Sequence, residues 1–314
     1  MSSGSEHSID VEDSIDVDVD DGGDDAGSAA SIPPPGNDTL RIMISTDNHL
    51  GYAESDPVRA MDSFAAFEEV LYLARLHKVD MVLLGGDLFH YNKPSRRTLF
   101  RTMEILKRYC LGDNPVQIQI LSDQSKDFRA RQVNYEDPHI SVDLPIFSIH
   151  GNHDDPTRDP GATEMLAALD LLSVTSLVNY FGRQDEVNKV EISPILIQKG
   201  TTKVALYGLG NLRDERLNRM WQSKKVRFLR PEISAEENDD DDPDKEWFSM
   251  LVLHQNRETG RGTKNCIHES MIPEWMDLTV FGHEHASEPE LVDSLVGTFR
   301  VTQVRIPKEM DHIQ

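Results

Sequence analysis

"VDMVLLGGDLFH" (residues 79–90) is an apolar run that ends at Gly85 and Gly86 and is followed at once by Asp87 and then by His90. A short apolar run bounded by glycine is typical of a buried β-strand. The same kind of run recurs in "LRIMIST" (40–46), "LPIFSIH" (144–150), "KVALYGLG" (203–210), "FSMLVLH" (248–254) and "DLTVFGH" (277–283). Buried strands of this kind predict a sheet core.

Two segments between the early strands have helical periodicity. "DSFAAFEEVLYLARLHK" (62–78) and "SRRTLFRTMEILKRYCL" (95–111) each place apolar side chains on one helical face. The two stripes consist of Phe64, Phe67, Val70, Leu71 and Ala74, and of Leu99, Met103, Leu106 and Cys110. Strand, helix, strand order predicts a layered α/β fold that begins with parallel crossovers.

Charge is unevenly distributed along the 314 residues. The chain has 32 basic and 55 acidic side chains, a net charge of -23. Residues 1–39 contain 11 of the acids and no Lys or Arg, and residues 232–246 contain nine acids and one Lys. Both segments are too polar to bury a core, so we expect disorder there. The remaining, nearly neutral part is compatible with binding an acidic partner such as DNA.

The two cysteines, Cys110 and Cys266, make no disulfide framework and no Cys-x-x-Cys metal pair. The N-terminus lacks the basic and apolar regions of a signal peptide, and the apolar runs are too short to span a bilayer. We therefore expect a nuclear or cytoplasmic protein without a membrane association.

Metal-binding residue types follow five of the strands. They are Asp47 and His49; Asp87 and His90; Asn152, His153 and Asp154; His254; and His283 and His285. In α/β sheets, sites form beyond the carboxyl ends of the strands, so five such ends can converge on one crevice. Each motif alone has an ordinary interpretation as a cap or turn. Their joint occurrence after successive strands favours a metal site.

The donor types indicate the chemistry. Seven of these ten residues, comprising two carboxylates, one amide and four imidazoles without a thiolate, favour manganese, iron or zinc over magnesium. One zinc needs only three or four ligands, so seven candidates predict two ions that share a carboxylate. Two such ions are typical of enzymes that hydrolyse phosphoesters.

The motif order resembles the calcineurin-like metallophosphoesterase superfamily. Within it, "TDNHLGY", "LLGGDLFHYNKPSRRTL", "VNYEDPH", "FSIHGNHDDP", "VALYGLGNLRDERLNRMW" and "LVLHQNR" are similar to the meiotic recombination eleven (SbcD-type) nuclease family. This resemblance implies a four-layer αββα sandwich with two Mn ions. One ion would take Asp47, His49, Asp87 and His285, and the other Asp87, Asn152, His254 and His283.

The resemblance also implies roles for three further residues. His153 would assist the leaving group or position the phosphate, His90 would contact the scissile phosphate, and Asp154 would fix an imidazole. The implied activity is DNA cleavage in double-strand break repair, as a single-strand endonuclease and a 3′–5′ exonuclease. Implied partners are DNA, a second copy in a homodimer, an SbcC-type ABC ATPase and nibrin. The implied setting is the nucleus, with roles in homologous recombination, meiosis and telomere maintenance.

Three interpretations stay open on sequence. The helix at 95–111 suits a dimer contact or packing on the sheet. Residues 111–144, a polar insertion, match the region that nibrin and dimer contacts use in eukaryotic relatives. The stretch from Arg213 to Arg230, with seven basic and two acidic residues, suits either a phosphate-binding surface or an ordinary solvated face.

We predict a nuclease domain over 40–303, a divergent tail over 304–314, and no capping or ATPase-binding region. After residue 303 the chain departs from the family pattern, which leaves open whether the second sheet is complete. Alternatives to the nuclease are a truncated or inactive scaffold that retains dimer or nibrin binding, and a metallophosphatase or phosphodiesterase with another substrate.

Overall fold

The computed structural model describes residues 36–186, 188–231, 247–257, 266–284, 288–294, 297 and 299–303, all within one compact unit, Pro35–Gln314. Most of the acidic N-terminal segment, the insertion at 232–246, the tail at 304–314 and His285 lie outside the described residues. Residues 36–39 are described, and Asp38 Oδ1 accepts a hydrogen bond from the backbone N–H of Thr201 at 2.7 Å.

The helices and strands are numbered here in chain order. The strands are β1 (Ile42–Ser45), β2 (Met81–Gly85), β3 (Gln119–Ile120), β4 (Ile146–Ile149), β5 (Thr157–Arg158), β6 (Met165–Leu166), β7 (Asn179–Tyr180), β8 (Val190–Ile192), β9 (Pro194–Lys199), β10 (Thr202–Leu209), β11 (Val226–Phe228), β12 (Phe248–His254), β13 (Leu278–Gly282), β14 (Glu288–Asp293) and β15 (Arg300–Gln303). The α-helices are α1 (Asp62–Leu76), α2 (Arg96–Cys110), α3 (Gln124–Asp127), α4 (Ala168–Val174) and α5 (Asp214–Gln222), with 3₁₀ turns at Asn134–Glu136 and Glu269–Met271. None of these helices combines the length and apolar character that a membrane span requires.

Two sheets form the centre of the fold. Sheet 1 has the order β1-β2-β4-β7, and each neighbouring pair is parallel. Sheet 2 has the order β14-β15-β13-β12-β10-β9-β3. Its central strands, β10, β12, β13 and β15, are parallel, while β14, β9 and β3 join in antiparallel orientation. The predicted parallel crossovers at the start of the fold are confirmed.

Alternation along β2 shows how the layers stack. Val82 and Leu84 belong to the core cluster that contains Phe67 of α1. Met81 and Leu83 point the opposite way, into a second cluster that includes Val252 of β12. A third cluster on the far face of sheet 2 contains Tyr207 of β10, Leu251 of β12 and Leu217 of α5. Helices, two sheets and a further helix make the predicted four-layer αββα arrangement.

The predicted apolar stripe matches the buried residues of α1 closely and those of α2 only in part. In α1, Phe64, Phe67, Leu71 and Ala74 are buried as predicted, and Val70 is half-buried. In α2 the buried residues are Thr98, Thr102, Ile105, Leu106 and Cys110, whereas Leu99 and Met103 are only half-buried. The buried stripe of α2 is therefore shifted towards Thr98 and Thr102. Burial of the Thr102 hydroxyl is tolerated because its Oγ1 donates to the Thr98 carbonyl at 2.8 Å.

A buried ion pair joins the sheets at the edge where β2 begins. Lys199, at the end of β9, is only 4% exposed, and its Nζ lies 2.6 Å from Asp80 Oδ1. The same Nζ donates to the Thr39 carbonyl at 2.9 Å, and Asp80 Oδ2 accepts from the backbone N–H of Arg41 at 2.7 Å. Asp80 therefore compensates the buried ammonium and holds the start of β1.

Asp80→Ala should destabilise the protein by about 3–5 kcal/mol, because it leaves the Lys199 ammonium buried without its counter-ion. Urea unfolding monitored by circular dichroism measures this loss. The double variant Asp80→Ala/Lys199→Met should regain part of it, since no charge is then buried. A loss below about 1 kcal/mol in the single variant would contradict the assigned role of the pair.

Candidate metal centre

The predicted ligands lie at the carboxyl ends of strands from both sheets. Asp47 and His49 follow β1, Asp87 follows β2, and His254 is the last residue of β12. His283 directly follows β13. The sheets touch at this edge, because His254 Nδ1 lies 2.8 Å from the Gly85 carbonyl oxygen, to which it donates. The backbone N–H of His283 donates to Asp47 Oδ2 at 3.0 Å.

Two buried carboxylates occupy the centre of the site. Asp47 Oδ2 accepts from Thr46 Oγ1 at 2.7 Å, and Asp87 Oδ1 accepts from the backbone N–H of His153 at 2.8 Å. The other oxygen of each carboxylate faces the imidazoles. His49 Nε2 is 3.8 Å from both Asp47 Oδ1 and Asp87 Oδ2, and His254 Nε2 is 3.3 Å from Asp87 Oδ2.

The ligand atoms form two overlapping triplets. Asp47, His49 and Asp87 place one atom each within 4.8 Å of one another, and so do Asp87, His254 and His283. Asp87 is common to both. This is the arrangement that two cations sharing one carboxylate would need, as the donor count predicts.

One ring nitrogen of His254 is buried without a hydrogen-bond partner among the described residues. Its Nε2 is fully buried and makes no aligned hydrogen bond within the part of the chain that the structure describes. Because Nδ1 is engaged by the Gly85 carbonyl, Nε2 is the atom available for a cation. Burial lowers the pKa of His254 but the nearby Asp87 raises it more, and a metal would replace that proton.

His90 and His153 lie beside this centre. His153 Nδ1 donates to the His90 carbonyl at 2.7 Å, and the two rings stack with centroids 5.2 Å apart. His90 Nδ1 is 3.5 Å from His49 Nδ1. The ring of His49 is 4.8 Å from that of His153, and these three histidines form a further group of potential ligands.

Asp154 differs from the interpretation made from sequence. Its carboxylate accepts hydrogen bonds from the backbone N–H groups of Gly151, at 2.7 Å, and Phe89, at 3.2 Å, rather than from an imidazole. It therefore ties the loop after β4 to the loop after β2. Burial, together with the charge of Asp87, raises the pKa of Asp154. The family resemblance implies an imidazole partner for this side chain, but the motif does not specify which atoms its carboxylate contacts.

Two remaining predicted ligands are less well placed by the structure. Asn152 lies in the loop after β4, between Gly151 and His153, and is exposed. His285 falls outside the described residues. Both stay predictions.

Four of the ligands have a left-handed backbone, which is costly for residues other than glycine. The φ angles are 56° at Asp47, 48° at His49, 50° at Asp87 and 81° at His283. Such conformations cost on the order of 1–3 kcal/mol each and cluster at functional sites, where the surroundings enforce them. The metal centre is thus the part of the fold where local preference is most often overridden.

Asp214, at the start of α5, was missed by the sequence reasoning. Its Oδ2 accepts from Asn256 Nδ2 at 2.7 Å, and Asn256 comes two residues after His254. Its Oδ1 is buried without a hydrogen bond from any described residue. The available signal was its position in "LGNLRDER", just beyond the end of a sixth strand, β10.

Comparison with known proteins agrees with this geometry. The pattern of the calcineurin-like phosphoesterases matches residues 40–287, a range that includes both ligand triplets. The chain belongs to this family.

Double-strand break repair proteins are among the relatives that this chain resembles in sequence. The chain is 51% identical over 276 residues to "Double-strand break repair protein MRE11" of Oryza sativa subsp. indica, covering 85% of this chain and 37% of the relative. Identity to MRE11 of Arabidopsis thaliana is also 51%, with the same coverage. Identity to MRE11 of Homo sapiens is 49% over 250 residues, covering 79% and 33%. The chain spans about a third of the length of these relatives.

Gly151→Ala should lower Mn²⁺ affinity by on the order of 10- to 100-fold, as loss of support around a metal ligand does. A Cβ at this position would lie 2.0 Å from Asp87 Oδ1 and must displace that carboxylate. Isothermal titration with Mn²⁺ measures the change. Gly36→Ala, where the new Cβ would meet only the side chain of Thr39, at 3.3 Å, is the control. Unchanged affinity in Gly151→Ala would contradict the central role of Asp87.

Proposed function

We propose that this chain is the nuclease domain of an MRE11-type protein and hydrolyses phosphodiester bonds of DNA with two bound Mn²⁺ ions. The observation that carries the proposal is that Asp87 belongs to both ligand triplets. Identity near 50% to MRE11 proteins supports DNA as the substrate.

The residues fit two cations. Asp47, His49, Asp87 and His285 would hold one, and Asp87, Asn152, His254 and His283 the other. The buried Nε2 of His254, which faces Asp87 and makes no hydrogen bond among the described residues, supports this assignment. When bound, the two ions supply an activated hydroxide and stabilise negative charge on the reacting phosphate.

The imidazoles beside the cations would handle the phosphate and the proton. His153 is held in one orientation because its Nδ1 donates to the His90 carbonyl. Its Nε2 is then the nitrogen available to protonate the leaving oxygen or to hold a phosphate oxygen. His90, stacked against it, is placed to contact the same phosphate.

The wider assignment follows from the similarity to MRE11. We propose single-strand endonuclease and 3′–5′ exonuclease action in nuclear double-strand break repair, with roles in homologous recombination, meiosis and telomere maintenance. The proposed partners are a second copy of the chain, an SbcC-type ABC ATPase and nibrin. The two ligand triplets that the described residues form argue against the scaffold alternative.

His153→Ala should slow manganese-dependent DNA cleavage by about 100-fold or more, because it removes the proton-handling group. Mn²⁺ affinity should change little, since His153 is not one of the proposed ligands and an alanine keeps the backbone N–H that donates to Asp87. Cleavage of a labelled duplex and Mn²⁺ titration are measured on the same preparation. His139→Ala, at an exposed position, is the control. Full-rate cleavage by His153→Ala would refute the role of His153.

Metal stoichiometry separates a two-ion site from a one-ion site. Equilibrium dialysis against Mn²⁺ followed by elemental analysis should give two ions per chain. Asp87→Ala should lose both, because both triplets contain Asp87. His283→Ala should retain one, in the triplet that does not contain His283. A single ion in the unaltered chain would contradict the proposal, as would one ion retained by Asp87→Ala.

A further inference from the structure

The basic residues between Arg213 and Arg230 fall into two groups once their contacts are known. Arg216 donates to the Glu186 carbonyl at 3.3 Å, Arg227 is 3.8 Å from Glu191, and Arg230 lies 4.9 Å over the ring of Trp275. The second group consists of Arg213, Arg219, Lys224 and Lys225, which are exposed and form no ion pair with any described residue. We call this second group the α5 strip.

The two ends of α5 carry cations where the helix itself favours other residues. Arg213 is the N-cap and makes no side-chain capping bond, although Ser, Thr, Asp or Asn is preferred there and a positive charge is unfavourable. Lys224 has a φ of 56° just after the helix, in the position where glycine is usual. Residues that depart from the local preferences of a helix end, with no evident gain in stability, are expected at functional positions.

Lys78 occupies the same kind of position after α1 as Lys224 does after α5. It follows α1 with a φ of 50°, and its backbone N–H donates to the Arg75 carbonyl as that of Lys224 does to the Trp221 carbonyl. A lysine in this turn is therefore not sufficient to indicate a ligand. The α5 strip differs because its cations lie at both ends and along the exposed side of one helix, next to the metal centre.

A hydrogen bond places the start of the α5 strip at the candidate metal centre. Asp214, next to Arg213, accepts from Asn256 at 2.7 Å, and Asn256 comes two residues after His254. From there the nine residues of α5 extend about 13 Å.

We propose that the α5 strip binds the phosphate backbone of duplex DNA next to the bond being cleaved. The inference rests on the proposed function, which supplies DNA as the substrate. Duplex DNA has a phosphate about every 3.4 Å along each strand, so a 13 Å strip spans about four of them. Exposed lysine and arginine side chains that form no ion pair with a described residue can replace the counter-ions of those phosphates.

The test compares two variants that each remove two positive charges, one of them from a left-handed lysine just after a helix. Lys224→Gly/Lys225→Gln alters the α5 strip. Lys78→Gly/Lys107→Gln makes the same exchanges after α1 and in the last turn of α2, at the edge of sheet 1 where β2 begins. In both variants the glycine relieves a left-handed residue, so thermal unfolding should occur at or above the temperature of the unaltered chain.

Binding of a labelled duplex is measured by fluorescence anisotropy over a range of salt concentrations, in EDTA. The slope of log affinity against log salt should become shallower by about 1.8 in the α5 variant, because two phosphate contacts are lost. Affinity at physiological salt should fall on the order of tenfold, and the control should match the unaltered chain. An unchanged slope in the α5 variant, or an equal change in the control, would overturn the proposal.

Hydrolysis separates this inference from the proposed function. Manganese-dependent cleavage of bis(p-nitrophenyl) phosphate, which has no flanking backbone, should be equal in the α5 variant and the unaltered chain. A loss of that activity in the α5 variant would overturn the strip as a backbone contact, since it would then act on the reacting centre. If the unaltered chain cleaves neither DNA nor this ester, the proposed function is refuted. The salt dependence of binding still decides whether the α5 strip contacts DNA phosphates.

Discussion

The structure depends on accommodating one buried negative charge, that of Asp87. Burying an uncompensated carboxylate costs several kcal/mol, so the fold must bring donors and cations to it. The backbone N–H of His153 donates to one oxygen, and His254 lies 3.3 Å from the other. His153 follows β4 of sheet 1, whereas His254 ends β12 of sheet 2. Satisfying Asp87 therefore requires the two sheets to meet at their carboxyl ends.

A second carboxylate, Asp80, connects the opposite end of β2 to sheet 2. Asp80 precedes β2 and pairs with Lys199 of β9, while Asp87 follows β2 and faces His254 of β12. An internal strand of sheet 1 is thus tied to sheet 2 at both ends by charge, with apolar packing between. The two ties differ in consequence: the lysine neutralises its partner completely, whereas the imidazoles leave room for cations.

Much of this could be predicted because it depends on local signals. Apolar runs fixed the main strands, and their abrupt polar endings located Asp47, Asp87 and His254. What failed depends on tertiary contacts. The buried face of α2 includes Thr98 and Thr102, whose burial a hydrophobicity pattern does not reveal. The role of Asp154 depends on backbone N–H donors. The position of Asp214 near the candidate site is shown only by its contact with Asn256. The antiparallel strands at the edges of sheet 2 are short or exposed and carry weak patterns.

The left-handed residues at the candidate metal centre restrict which side chains those positions can hold. At Asp47, His49, Asp87 and His283 the backbone φ is positive, a region that β-branched and bulky residues adopt only as outliers. Asp, Asn and His are the residue types other than glycine that enter this region most often. Oxygen and imidazole donors are therefore also the side chains that these four turns tolerate best. Backbone shape and donor chemistry select the same residue types.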